Sequence, residues 1–379
     1  MKKLLWTTAV AGVLVITVSA CGSKPKNSGT PTSAGGASTS SSPSSSASPS
    51  ASGSAKPSGG TSSFKACLVT DTGGIDDRSF NASAYQGVKD SGVPNKFLQS
   101  QQASDYAPNI QTFITQKCSI IVTVGFNLGD ATAKAAKANP DQKFAIVDFT
   151  YDPPLKNVKG LIYNTAQAGF LGGYLAAGMT KSQKVATFGG LKISTVTIYM
   201  DGFYDGVQYY NSKHGKNVQV LGWNEHNQKS GSFANSFTDT GKGKSLTQQF
   251  IQQGADIIFP VAGNVGLGAA AAVKASNGAA NMLWVDTDGC ISAPQFCKYF
   301  ISSVVKGIPE SVKAAIVAAK NGTFTGSNYV GTLTNGGAGL SPFHDFDSKV
   351  PAALKAELKT VQTGIENGSI KVASPSAPK

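Results

Sequence analysis

Three aspartates, an asparagine and a phenylalanine crowd into the stretch TDTGGIDDRSFN, Thr70 to Asn81, directly after an apolar run. Residues of these types could cradle a phosphate, hold a metal ion, act as an acid and base pair, or line a pocket for a polar, ring-shaped ligand. A phosphate cradle uses GxGxxG or GxxxxGK[ST] opening a helix, and neither GGIDD nor GNVGLG, Gly263 to Gly268, has the first spacing. Carboxylates would also repel the anion. Asp76 and Asp77 are adjacent and point differently, and no GxSxG motif accompanies them. Calcium needs oxygens at denser alternating positions than DTGGIDD supplies. Pocket recognition remains: Asp71 and Asn81 can hydrogen-bond a ligand, the glycines allow close backbone approach, and Phe80 offers either a stacking face or ordinary core packing at a helix start.

Such residues work only if the elements around them bring them to one place. Short β-branched runs (KACLVTD, NKFLQSQ, SIIVTVG, KFAIVDF, VKGLIYN) alternate with helical segments, and the pattern restarts at KVATFGG, VQVLGWN, ADIIFPVAG and MLWVDTDG. Alternation of this kind predicts parallel strands with crossover helices, and its repetition predicts two doubly wound α/β lobes. The small-residue segment TAQAGFLGGYLAAGMTK carries the chain between them. Ligands of open α/β sheets gather at the carboxyl ends of strands. Polar or glycine residues stand there repeatedly: Asp71, Gly125, Asp148, Gly263 with Asn264, and Asp286 with Asp288. Strand ends from both halves predict a cleft between lobes.

The first residues, MKKLLWTTAVAGVLVITVSAC, read as a secretory signal over 1–20, a basic start and an apolar run ending in a small-residue site. Cys21 is then expected to carry a lipid. The Ser/Pro/Gly-rich stretch 21–63 lacks the large apolar residues needed for a core and reads as a tether. Of the four remaining cysteines, Cys67 with Cys118 would tie the starts of neighbouring strands, and Cys290 with Cys297 would close a short loop. A zinc site is not expected, since no CxxC occurs and His214, His226 and His344 lie far from cysteines along the chain. The net charge of +12 is scattered, without a basic run interleaved with aromatics, so nucleic acid is not an expected partner.

The stretch VTDTGGIDDRSFNASAYQG resembles the hallmark of the basic membrane protein family, whose PnrA-like type binds purine nucleosides. AGFLGGYLAAGM, GGLKISTVTIYMDGFYDGV, SFTDTGKGK, GADIIFPVAGNVGLG, WVDTDG and SSVVKGIPESV extend the likeness over about Lys65 to Val372. The resemblance implies a type I periplasmic-binding-protein fold, lobes hinged near Gly169 to Gly178 and around Ile301 to Lys306 with an interlobe cleft, and a non-enzymatic lipoprotein that captures nucleosides for the permease subunits of an ABC importer. It implies no cofactor, a monomer, and attachment to the membrane through the lipid on Cys21. Expected boundaries are 64–168 plus about 306–326 for one lobe, 169–305 plus about 327–372 for the other, and a tail at 373–379.

Carried onto this chain, the resemblance implies that Phe80 and Phe237 sandwich the base and that Asn81 and Asp148 read base edges or support the pocket. Asp286 and Lys306 would take ribose hydroxyls, Asp71 would line the same wall, and Gly263 would allow close backbone approach. Phe233 competes with Phe237 as the second stacking residue, and Asp288 competes with Asp286. Asp239, Lys242 and Lys244 are expected to cap and solvate a helix start, Asp130 to be an N-cap, and Tyr85 to pack a helix. Another small solute such as a sugar, or a role as a surface adhesin, is the alternative to a nucleoside receptor.

Overall fold

The computed structural model describes residues 64–378; the expected signal, Cys21 and tether lie outside the described residues. The first lobe is built from β1 (Ala66–Thr70), α1 (Phe80–Asp90), β2 (Asn95–Leu98), α2 (Tyr106–Thr115), β3 (Ile120–Val124), α3 (Gly129–Ala138), β4 (Lys143–Val147) and β5 (Val158–Tyr163). The second follows with α4 (Thr165–Met179), β6 (Lys184–Gly189), α5 (Ser194–His214), β7 (Gln219–Leu221), α6 (Thr240–Gln252) and β8 (Ile257–Val261). It continues through α7 (Val265–Ala275), β9 (Asn281–Asp286), the short α8 (Gly289–Ser292) and β10 (Phe300–Lys306). The chain then runs through α9 (Ile308–Lys320), β11 (Tyr329–Gly331), β12 (Ala338–Leu340) and α10 (Ala352–Glu366).

Two six-stranded sheets result, in the orders β11-β5-β4-β3-β1-β2 and β12-β10-β9-β8-β6-β7. All pairings are parallel except β10 with β12. Central strands β1, β3 and β8 are buried at every position, as expected where helices cover both faces. Leu68, Val122 and Ala145 face one side of the first sheet, against α1 and α9, whereas Cys67, Ile121 and Phe144 face the other, against α2 and α3. This alternation follows from the two-residue period of a strand.

The chain crosses between lobes three times, at Asn164, at Gly307 and through 332–337. These crossings touch one another. Asn164 N donates to Gly331 O (2.8 Å), and Gly307 N donates to Gly337 O (2.9 Å). A Cβ at Gly307 would lie 3.0 Å from Gly337 Cα, so the absence of side chains lets three strands meet in a narrow waist. Gly169 to Gly178 and Ile301 to Lys306, the stretches expected to hinge, instead lie within continuous α4 and β10, because the crossings fall just outside these elements. In α4, Gly169 and Gly173 let the backbone of α5 come close, at Tyr199 and Phe203. Tyr329–Gly331, expected beyond the last crossing, instead pairs with β5 in the first sheet.

Both favoured cysteine pairs are bonded, Cys67 with Cys118 and Cys290 with Cys297. The first is buried beside the β1–β3 pairing, and the second clasps the turn after β9.

Candidate ligand-binding site

The carboxyl ends of both sheets face one cavity of about 570 Å³, counting its mouth. Asp71, Phe80, Asn81, Asp148, Phe237, Gly263, Asp286 and Lys306 all line it. The first four come from the first lobe and the last four from the second, so the site exists only where the lobes meet.

Backbone geometry at the strand ends aims these groups. Asp148, just after β4, and Asp286, the last residue of β9, have φ of 66° and 65°, with Gly125 at 116° and Gly263 at 55° after β3 and β8. Left-handed conformations are uncommon outside glycine, although aspartate tolerates them better than most residues. Two non-glycine residues held this way at equivalent ends of two sheets turn the chain sharply and put their carboxylates into the cleft.

Lys306, at the end of β10, is 4% exposed. Its Nζ donates to Asp148 Oδ2 (2.8 Å) and Oδ1 (3.1 Å) across the lobes, and stands 3.7 Å from Asp286 Oδ1. The ammonium lies 5.0 Å from the ring centre of Phe80 and 5.3 Å from those of Tyr163 and Tyr199. Aromatic faces are negative and favour a desolvated cation. Asp286 also accepts from Tyr199 Oη (2.7 Å) and from Ser79 Oγ (2.9 Å).

At the start of α1, Asp77 accepts from the backbone N–H of Ser79 (3.0 Å), Asn81 (2.8 Å) and Ala82 (3.0 Å). It thereby satisfies donors that a helix leaves free at its first turn. Asn81 Nδ2 donates to Asp71 Oδ1 (2.7 Å) and reaches Asp77 Oδ2 (3.2 Å). Its Oδ1 is buried without a partner, so one acceptor of a cavity-lining amide is left unused. Burial pushes the Asp71 carboxyl above the usual range, against the opposing bonds from Asn81 and Gly73. Burial likewise pushes Asp77 up to about 6, and outweighs Lys306 at Asp148, which is also raised.

Four lining carboxyls thus stand against one lining ammonium, and that ammonium is engaged by two of them. The arrangement accepts hydrogen bonds from hydroxyl and N–H groups and has no spare cation for an anion.

The residues left open between two readings now separate. Phe237 lines the cavity, whereas Phe233 bridges to Gly189 and packs edge-on against Trp223 at 5.8 Å. Asp288 accepts from Cys290 N and pairs with His344 (2.7 Å), away from the cavity. Folding therefore brings His344 near Cys290, a proximity hidden by chain spacing, but that sulfur is already bonded to Cys297. Asp239 caps α6 through Lys242 N (3.0 Å). Asp130 sits in the first turn of α3, after the cap position at Leu128. Tyr85 packs edge-on against Phe97 at 5.0 Å. Phe80 both packs against the first lobe's core and lines the cavity.

Sequence reasoning passed over Ser79, Tyr199 and the structural part played by Asp77. Asp77 stands three residues before α1, outside the N-cap position that Ser79 occupies, so the usual capping preference did not single it out. Ser79 and Tyr199 meet Asp286 across 207 and 87 residues of chain, and no local pattern signals such pairing.

Two doubly wound lobes joined by three crossings, with a polar and aromatic cavity at facing strand ends, define the two-lobe α/β fold of the periplasmic-binding type. A solute-binding protein of an ABC transporter from Aeropyrum pernix has this fold, with a TM-score of 0.75 at 23% identity over 82% of this chain and 94% of that one. One from Conexibacter woesei gives 0.64 at 19% identity, over 83% and 100%.

Residues 64–371 match the family described as ABC transporter substrate-binding protein PnrA-like, and the chain belongs to that family. It is 30% identical over 334 residues to the ABC transporter nucleoside-binding protein BmpA of Lactococcus lactis, covering 83% of this chain and 90% of the relative. It is 31% identical to a CD4+ T-cell-stimulating antigen of Listeria monocytogenes, over 82% and 88%. Basic membrane protein A of Borreliella burgdorferi is 29% identical, over 82% and 88%. The chain is thus the substrate-binding component of an ABC transporter, a protein that takes up a ligand and presents it to permease subunits.

Proposed function

We propose that this protein captures a neutral nucleoside, with a purine base preferred, outside the cytoplasm and delivers it to its permease while held at the membrane by a lipid on Cys21. The observation that carries this reading is the engaged Lys306: the cavity's one ammonium is taken up by Asp148 and Asp286. A nucleotide phosphate would enter among carboxyls with no free counter-charge, whereas a nucleoside brings hydroxyls and a flat, apolar-faced base.

Phe80 and Phe237, from opposite lobes, stack on the base, a contact supplying about 1–3 kcal/mol per base. The unpartnered Asn81 Oδ1 and the raised carboxyl of Asp71 meet donors on the base edge. Asp286 and Lys306 take the ribose hydroxyls, Asp148 supports Lys306, and Gly263 lets the backbone approach. The walls stand close together, so the ligand enters with the lobes apart and is enclosed as they close about the crossings at Asn164, Gly307 and 332–337. Closure on a ligand needs no bond to be made or broken.

Calorimetric titration of the purified protein, freed of carried-over ligand, tests the reading with guanosine, adenosine, inosine, cytidine, ribose, free bases and nucleoside monophosphates. Purine nucleosides are expected to bind most tightly, with Phe237→Ala and Asp286→Ala each weakening them at least tenfold. Tight binding of a sugar alone, or none by any nucleoside, would overturn it.

A further inference from the structure

A second, larger groove of about 1460 Å³, counting its opening, adjoins the ligand cavity. The two share Phe126, Asp148, Thr195 and Lys306 as lining residues, so they adjoin at these side chains. One wall of the groove comes from the loop after β4 and the other from α5 and the segment Pro375–Pro378.

Both walls are held by contacts within the protein. Phe149 packs at 5.2 Å against Phe126 and at 5.0 Å against Tyr151, whose Oη donates to Gly129 O (2.8 Å). On the facing side, Ser374 Oγ donates to Asp201 Oδ2 (2.6 Å), Ser376 Oγ and Thr197 Oγ1 share a hydrogen bond (3.0 Å), and Ala377 packs on the second lobe's core. The chain past α10 is thus pinned along α5 as a preformed wall.

We propose that this groove is an extension of the binding site that takes an uncharged, largely apolar substituent attached to the sugar of the bound nucleoside. The proposal rests on the reading of Asp286 and Lys306 as the sugar's partners, because Lys306 is where the two cavities meet. Aromatic, proline and isoleucine surfaces dominate the groove, with hydroxyls of Thr150, Ser194 and Ser376 at its walls. Among the described residues its charged groups are Asp148 and Lys306, which pair with each other, and the exposed Asp152. Apolar carbon gains from such burial, and an added phosphate finds no free cation among the described lining residues. The protein would then accept sugar-alkylated nucleosides that a pocket closed at the ribose would reject.

Titrating the full-length protein with guanosine, its 5′- and 3′-O-alkyl ethers of increasing length, and its 5′-monophosphate tests this. In at least one ether series affinity should hold or rise with chain length, by up to about fourfold per fully buried methylene, while the monophosphate binds at least a hundredfold more weakly. Ser376→Trp, which fills the groove, should leave guanosine unchanged and abolish the gain for the ethers; Tyr151→Ala should reduce it. Guanosine binding with both ether series excluded would overturn the extension alone, as would ethers that bind Ser376→Trp as well as the parent protein. Failure of guanosine and every ether together would overturn the nucleoside reading and the extension with it.

Discussion

Lys306 decides the electrostatics of the cleft, because it is a buried cation facing two buried carboxylates and three aromatic rings. Removing one partner from such a set leaves an uncompensated charge, commonly a loss of about 3–5 kcal/mol. Lys306→Met is therefore expected to lower unfolding stability by about that much at neutral pH, measured by denaturant titration. Asp148 lies above the usual range even with the ammonium beside it, and without it will rise further. The loss should accordingly shrink as the pH falls and that carboxyl takes a proton. Asp77 gives a separate test. Its folded value of about 6 lies above its ordinary 3.8, so the folded state holds the proton more tightly, and stability falls as pH rises from about 4 to about 6. The contribution is on the order of 3 kcal/mol at about 1.4 kcal/mol per pH unit. Asp77→Asn should remove this part of the slope, seen by comparing melting curves across that window, with an overall loss from the weaker bonding at the start of α1.

Among the elements, α4 and α5 meet through glycines that bring their backbones together as well as through aromatic pairs such as Phe170 with Tyr209. A Cβ at Gly173 would collide with the carbonyl of Phe203, and one at Gly206 with that of Phe170. Gly215, which ends α5 with φ of 61°, has open space around it. Gly173→Ala should thus cost about 1–3 kcal/mol or more through overpacking, and Gly215→Ala about 1 kcal/mol through backbone strain alone; thermal denaturation of the two variants checks the order. The small residues of AGFLGGYLAAGM were readable as a close-packing surface because that signal is local. So were the long buried strands and the polar residues at their carboxyl ends, which together announced a cleft. β11 and β12 were not, since three residues carry no measurable period, and the crossings at Gly307 and Gly337 become recognisable only when their contact is seen. Within the site, Phe237 is favoured over Phe233 as the closer motif match and Asp286 over Asp288 by its place at a strand end, but neither local signal removes the neighbour. Only the fold shows Phe233 turned to Trp223 and Asp288 turned to His344.

The whole molecule closes on itself through direct bonds between lobes. Ser79 Oγ reaches Asp286, Lys306 reaches Asp148, Trp284 Nε1 donates to Arg78 O (3.3 Å) and Asn264 Nδ2 to Gly73 O (3.4 Å). A ligand that spans the same gap adds to these contacts, so the closed arrangement competes with an open one even before the ligand arrives. Ser79→Ala removes a buried hydrogen bond to a carboxylate, worth about 1.5–3 kcal/mol, from the closed arrangement alone. The variant should therefore shift the unliganded protein toward the open form by at least tenfold. Small-angle X-ray scattering should show a larger radius of gyration than the parent without ligand and the same value once ligand is saturating, with the apparent affinity reduced by the fraction of molecules that must first close. An unliganded variant as compact as the parent, with unchanged affinity, would mean that the narrow waist at Gly307, Gly331 and Gly337 is a rigid join and that the ligand reaches its cavity without movement of the lobes.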